Sequence, residues 1–112
     1  RIYSDCCEIA HLNISKVETA EQLMRSRYTA FTQGNGDYLM ISHHSETCPY
    51  ADKDAIVSWA KSVFWQKLEI INSTIDTVKF KAFYLENGRE QFIYENSKFV
   101  KEDDNWVYYG IV

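Results

Sequence analysis

Arg27 and Glu95 lie in predicted apolar surfaces, where a charge needs a partner. Arg27 shares a helical face with Leu23 and Phe31, and Glu95 shares a strand face with Phe99. A desolvated guanidinium is costly unless a carboxylate or several carbonyl oxygens accept its hydrogen bonds. We expect a charge-assisted pair between Arg27 and Glu95. Such a pair either fixes the helix on the sheet or holds a ligand.

Two adjacent histidines, His43 and His44, follow a short apolar segment. His44 is the best candidate for a general acid or base, since an unperturbed imidazole titrates at a pKa of about 6.5. A capping or half-exposed histidine is the equally weighted alternative. The sequence holds no glycine-rich phosphate loop, no Ser-His-Asp order and no HExxH motif, so the familiar hydrolase and nucleotide chemistries have no support.

Aromatic residues with polar tips, including Trp106, are the expected walls of an apolar pocket, although core packing explains each one singly. Together with the charged candidates they define a predicted ligand pocket. Its residues are Arg27, Tyr28, Tyr38, His44, Trp65 and Glu95.

The chain has three cysteines, two of them the adjacent pair Cys6 and Cys7. An odd count and a vicinal pair argue against a disulfide framework and favour a reducing, cytoplasmic setting. Tetrahedral zinc takes four thiolate or imidazole ligands, and this pair supplies half of them. Ordinary free thiols are the alternative, and we expect no complete zinc site within these 112 residues.

Composition narrows the range of partners. The 112 residues carry a net charge of −4 and show no basic patch, which argues against nucleic acid. No apolar stretch approaches the roughly 18 residues that a membrane-spanning helix requires. A small molecule or a protein is therefore the expected partner.

Hydrophobic periodicity predicts three helices. A capping box at Thr19 and Gln22 begins the first helix, and Gly34 or Gly36 ends it. Asp37 is expected to cap a second, short helix over residues 38–43, and a third helix follows over about residues 52–64.

Four strands are predicted after the helices, over residues 67–71, 77–85, 91–100 and 106–112. Asn87-Gly88 is a strong signal for a hairpin turn. The result is an α+β domain with its three N-terminal helices on one face of an antiparallel sheet. The last strand is apolar on both faces, so we expect it to be central or to lie under a subunit contact, which permits a homodimer.

The segment Thr19–Phe31 reads TAEQLMRSRYTAF, and the closing segment Asp104–Tyr109 reads DNWVYY. These strings, with the Glu95-x-Ser97-x-Phe99 strand, resemble the YchJ-like bacterial proteins over almost the whole chain. The resemblance implies a nuclear transport factor 2-like (NTF2-like, cystatin-like) cone. In that fold a curved antiparallel sheet wraps a long helix and leaves a pocket at its wide end. The family often has Thr-Trp-His-Pro before the pocket, and only His44 of that motif is present here.

That family usually carries a SEC-C motif before the domain, with Cys-x-Cys followed by a later cysteine pair. Tyr3–Cys7 is similar to its second half, which implies that Cys6 and Cys7 hold zinc with ligands upstream of Arg1. Residues 1–15 would be the remnant of this motif and its lead-in, and residues 16–112 the NTF2-like domain. A cytoplasmic binding or adaptor domain is the first expected function. The alternative is an isomerase, dehydratase or hydrolase with His44 as base and Arg27 or Tyr28 holding the substrate.

Overall fold

The computed structural model describes residues 14–112, so the predictions made for Cys6 and Cys7 lie outside the described residues. After a 3-10 turn at Ile14–Lys16, three α-helices precede the sheet in this part of the chain. They are α1 (Ala20–Gln33), α2 (Gly36–Ile41) and α3 (Lys53–Ser62). The four strands are β1 (Phe64–Ser73), β2 (Thr77–Glu86), β3 (Arg89–Glu102) and β4 (Asn105–Ile111). No helix within residues 14–112 has the length and apolar character needed to cross a membrane.

Helix α1 begins and ends as the sequence predicts. The Thr19 hydroxyl accepts a hydrogen bond from the Gln22 backbone N–H at 3.1 Å, and the Gln22 side chain accepts one from the Glu18 N–H at 2.7 Å. Gly34 ends the helix with φ of 65°, a left-handed conformation that favours glycine because it has no Cβ. The buried face of the helix then covers the sheet.

The predicted cap of α2 is wrong. Asn35, not Asp37, caps this helix, since its side-chain oxygen accepts from the Tyr38 N–H at 3.1 Å. Asp37 is instead exposed and forms an ion pair with Lys53 of α3. The helix also ends at Ile41, two residues earlier than predicted.

The predicted end of α3 is also too late. Val63 has extended dihedrals of φ −109° and ψ 158°, and Phe64 already pairs with Leu85 in the sheet. A separate 3-10 turn at Tyr50–Asp52 leads into the helix. The chain thus passes from α3 to β1 without an intervening loop.

The sheet is a four-stranded antiparallel meander in the order β1-β2-β3-β4. Asn87 and Gly88 both have positive φ, at 53° and 76°, and join Glu86 to Arg89 in the β2–β3 hairpin. This is the turn that the sequence predicts. Each of the four strands also begins or ends beyond the predicted limits.

Strand β4 lies at the edge of the sheet, so the prediction of a central position is wrong. The register changes between Lys98, which pairs with Gly110, and Phe99, which pairs with Tyr108. The bulge leaves Tyr109 without a partner across the ladder and turns Tyr108 toward the covered face. Apolar residues on both faces therefore reflect a bulge and not burial on two sides, because Ile111 is 72% exposed.

The core lies between α1, α2 and the covered face of the sheet. Leu23 and Ala30 of α1, Leu39 of α2, and Val78 and Phe99 of the sheet are all at most 1% exposed. Removal of such side chains from water is the main stabilising contribution to the fold. The helices do not close over the whole face, and the remaining space is the site described below.

Candidate functional site

A cavity of about 180 Å³ lies between α1 and the covered face of the sheet. One part of its wall is aromatic, and the other part is polar. The aromatic part is formed by Tyr28, Phe31, Trp59, Trp65 and Phe80.

Trp65 is the centre of the aromatic wall. Its ring meets Tyr28 edge-on, with centroids 5.7 Å apart and planes at 82°. Trp59 meets it in the same way, at 5.6 Å and 87°. The indole N–H of Trp65 donates to the Ala60 carbonyl at 3.0 Å, so its polar end is satisfied and its ring faces are fixed.

The polar part of the wall is organised around the Glu95 carboxylate on β3. One carboxylate oxygen, Oε2, accepts a hydrogen bond from the Ser97 hydroxyl and another, at 2.9 Å, from the Tyr108 hydroxyl on β4. Ser97 is fully buried, and all three residues line the cavity. Neighbouring strands of the meander therefore bring together a carboxylate and two hydroxyl donors.

The predicted ion pair between Arg27 and Glu95 is wrong. Within residues 14–112, no carboxylate oxygen lies within 4.0 Å of an Arg27 nitrogen. Its Nη1 donates instead to the Leu39 carbonyl at 2.9 Å and to the Ser42 hydroxyl at 2.7 Å. Both acceptors lie at the C-terminal end of α2, where the helix dipole favours a cation.

Tyr108 connects Arg27 to Glu95 indirectly. The guanidinium carbon of Arg27 lies 4.8 Å from the centroid of the Tyr108 ring, a cation–π contact, while the hydroxyl of the same ring donates to Glu95. Burial lowers the pKa of Arg27 to about 10. Burial, together with the nearby Glu95 carboxylate, raises the pKa of Tyr108. Both side chains therefore keep their protons at neutral pH.

His44 lies away from this cavity and is not among its lining residues. Its Nδ1 accepts from the Glu46 backbone N–H at 3.1 Å, its Nε2 is 3.7 Å from a Glu102 oxygen, and its ring contacts Tyr109. His43 is the inner histidine. Its ring lies edge-on to Tyr108 with centroids 4.9 Å apart, and burial, followed by the charge of Arg27, lowers its pKa to about 4.

Two other expected pocket residues are also elsewhere. Tyr38 is 1% exposed in the core, and its hydroxyl lies 2.6 Å from the Ser26 hydroxyl. The Trp106 indole donates to the Glu18 carbonyl at 3.1 Å. The structure thus brings Arg27, Tyr28, Trp65 and Glu95 to one cavity and leaves out Tyr38, His44 and Trp106.

Several cavity residues were not predicted as such. Ser97 shares the strand face of Glu95, and Trp59 repeats with Ala60 and Val63 on a helical face, so both carried a usable signal. Tyr108 carried no such signal, because the bulge in β4 determines which face of the sheet its side chain lies on. Phe31 was recognised only as part of the apolar face of α1.

Metal binding draws no support from the described region. Residues 14–112 contain no group of three or more His, Cys, Asp or Glu side chains that could hold an ion. Cys48 is a free thiol in this region, and burial raises its pKa, which makes it a poorer ligand at neutral pH.

A helix packed on a four-stranded antiparallel meander, with a cavity between them, is the arrangement expected of an NTF2-like domain. The fold is similar to that of a SEC-C motif containing protein from Rhodopseudomonas palustris, with a TM-score of 0.81 and 27% identity over 97% of this chain and 89% of that chain. A second similar structure is a SEC-C motif containing protein from Psychrobacter arcticus. Its TM-score is 0.74, with 30% identity over 100% of this chain and 71% of that chain.

Sequence comparison agrees with the structural likeness. A UPF0225 protein of Vibrio parahaemolyticus is 38% identical over 96% of this chain and 68% of its own length. A UPF0225 protein of Haemophilus influenzae is 37% identical over 95% of this chain and 69% of its own length. The family described as "YchJ, middle NTF2-like domain" matches residues 19–110. The chain belongs to this YchJ-like family.

Proposed function

We propose that this domain is a non-catalytic binding domain whose cavity receives a small, largely apolar molecule. The observation that carries the proposal is the cavity itself, with an aromatic wall around Trp65 and a polar wall around Glu95. Ligand sites in proteins commonly combine an apolar lining with a few placed polar groups that fix orientation. Its volume of about 180 Å³ suits one small ring; an apolar cavity of roughly 150 Å³ in another protein holds benzene.

Binding is favoured over catalysis because of what borders the cavity. The enzyme alternative requires His44 to open into this space, and His44 instead contacts Glu46, Glu102 and Tyr109. Arg27 and Tyr108, which do line the cavity, retain their protons at neutral pH. These two groups therefore suit holding a molecule better than exchanging a proton with it.

The test uses benzene and toluene as probes and the indole N–H signals of Trp59 and Trp65 as reporters in NMR titrations. Ala82→Leu adds volume inside the cavity wall, where Ala82 is 3% exposed. Ala55→Leu makes the same change on the exposed side of α3. We expect saturable shifts of both indole signals in the wild type and in Ala55→Leu, and none in Ala82→Leu. Equal binding by folded Ala82→Leu, or shifts confined to Trp106, would contradict the proposal.

The adaptor part of the proposal concerns Cys6 and Cys7. Thiolates are preferred zinc ligands, and two of the four that a structural site needs are present. The SEC-C motif named for both similar structures supports the assignment. We propose that the pair completes a zinc site with upstream ligands in a longer chain, and that this site docks a protein partner.

Elemental analysis tests the zinc assignment. We expect one zinc per chain in a protein extended toward its N-terminus, and none after Cys6→Ser and Cys7→Ser are combined. Cys48→Ser in the same longer protein is the matched control and leaves the zinc content unchanged. Zinc that survives the loss of both Cys6 and Cys7 refutes the assignment.

We place the protein in the cytoplasm, with support from the unpaired Cys48 thiol, which a reducing compartment preserves. A homodimer through β4 is the related proposal on assembly. It is supported by the edge position of β4 and by the exposed Ile111 and Val112, because an open strand edge is a pairing surface. Light scattering checks it: Ile111→Lys lowers a dimeric mass to the monomer value, and a monomeric wild type refutes the proposal.

A further inference from the structure

The polar wall of the cavity has unused hydrogen-bonding capacity of both kinds. Arg27 commits Nη1 to Leu39 and Ser42. Its Nε and Nη2 have no hydrogen-bond partner within residues 14–112, although the side chain is only 7% exposed. Among those residues, no fully buried side-chain nitrogen or oxygen lacks a partner. The free nitrogens of Arg27 must therefore face accessible space, and the space that Arg27 borders is the cavity.

Glu95 supplies the complementary acceptor. Oε2 accepts from both Ser97 and Tyr108, whereas Oε1 has no hydrogen-bond partner within the described part of the chain. Since no fully buried side-chain oxygen in residues 14–112 lacks a partner, Oε1 reaches accessible space. The cavity is thus lined by both guanidinium N–H donors and a carboxylate acceptor.

The charges of these two groups cancel. A bound carboxylate would gain from Arg27 but would lie in the same small cavity as Glu95. A bound cation would gain from Glu95 and face Arg27. Like charges in a poorly solvated site are costly, so each residue acts against the molecules that the other attracts. A neutral head group with one acceptor and one N–H donor satisfies both.

We propose that the cavity selects a small aromatic ring bearing an uncharged carboxamide or an equivalent donor–acceptor pair. The carbonyl oxygen accepts from the free nitrogens of Arg27, the amide N–H donates to Glu95 Oε1, and the ring packs against Tyr28 and Trp65. This assignment rests on the proposed binding function and names the chemical class of the bound molecule.

Three probes of nearly identical shape separate the possibilities: benzamide is neutral, benzoate is an anion and benzamidine is a cation. We expect benzamide to bind to the wild-type protein at least about tenfold more tightly than either charged probe, with the Trp59 and Trp65 indole signals as the readout. Glu95→Gln removes the negative charge and leaves Arg27 unopposed. In that variant we expect benzoate to gain at least about tenfold relative to benzamide.

Glu90→Gln is the matched control, because Glu90 is an exposed residue of the same strand and does not line the cavity. We expect Glu90→Gln to keep the wild-type order of affinities for benzamide, benzoate and benzamidine. The wild-type measurement stands on its own if Glu95→Gln fails to fold. Equal affinities, or tighter binding of benzoate or benzamidine to the wild type, overturn the assignment.

Toluene distinguishes failure of this inference from failure of the proposed function. If toluene binds in the cavity and none of the three polar probes does, the cavity binds small molecules and the carboxamide assignment is overturned. If neither toluene nor the polar probes shift the two indole signals, both the assignment and the proposed binding function are overturned.

Discussion

Tyr108→Phe removes one hydroxyl group and tests the polar wall of the cavity. The ring itself contacts Arg27, His43 and Phe99, and phenylalanine keeps those contacts. The hydrogen bond of 2.9 Å to the Glu95 carboxylate is lost. Glu95 is left with Ser97 as its donor.

The expected cost follows from the charge of the acceptor. A hydrogen bond to an ionised group contributes roughly 1.5–3 kcal/mol to stability. Glu95 borders a cavity, so water can replace part of the lost bond, and we expect a loss of about 1–2 kcal/mol in the free energy of unfolding. For a domain of this size, that corresponds to a fall of very roughly 5–10 °C in Tm.

Urea unfolding followed by tryptophan fluorescence measures this loss. Tyr109→Phe is the matched control, since Tyr109 is the next residue and is 37% exposed. A double-mutant cycle with Glu95→Gln isolates the contact, and we expect a coupling energy above about 0.5 kcal/mol. A loss no larger than that of Tyr109→Phe, with no coupling to Glu95, would refute the proposed arrangement of the polar wall.

Three further predictions concern the histidine and the helix ends. His43 has a pKa of about 4, against an ordinary value of 6.5, so between these two pH values the unfolded chain binds more protons than the folded protein. The free energy of unfolding therefore falls as the pH drops from about 6.5 to about 4. In urea titrations over this range we expect His43→Phe to show a smaller fall than the wild type. Gly34→Ala places a Cβ at φ of 65° and costs roughly 1–2 kcal/mol by the same assay, whereas Gly110→Ala, which meets no atom within 4 Å, changes stability little. Thr19→Ala removes the cap of α1 and costs about 1 kcal/mol, and an unchanged urea midpoint would contradict the capping role.

The helices and strands were predictable because their signals are local. The Thr19 hydroxyl and the left-handed Gly34 act within one turn of α1, and Asn87-Gly88 specifies its hairpin with two residues. The cap of α2 was mispredicted because Asn35 and Asp37 are both good capping residues. In the structure Asn35 caps the helix and Asp37 pairs with Lys53 of α3, a contact between separate helices that no local pattern indicates.

The site was only partly predictable, because its geometry depends on contacts between distant segments. Arg27 stood out as a charge on an apolar face, but its acceptors come from the end of α2 and not from β3. Which of His43 and His44 faces inward is decided by a parallel bridge between His43 and Tyr108. That bridge depends in turn on the bulge in β4, which no short sequence pattern predicts.

The order of the strands also has a consequence for folding kinetics. Within residues 14–112 every strand pairs only with its neighbour in the sequence, so the meander grows by short hairpin closures, which are faster than long loop closures. The link between His43 and Tyr108 spans more than half of the described chain and carries a larger entropic cost. We therefore expect the sheet to form first and the cavity to be completed late, when the segment after α2 docks on β4. Mutations in the β2–β3 hairpin should slow folding, whereas His43→Phe should mainly change the unfolding rate.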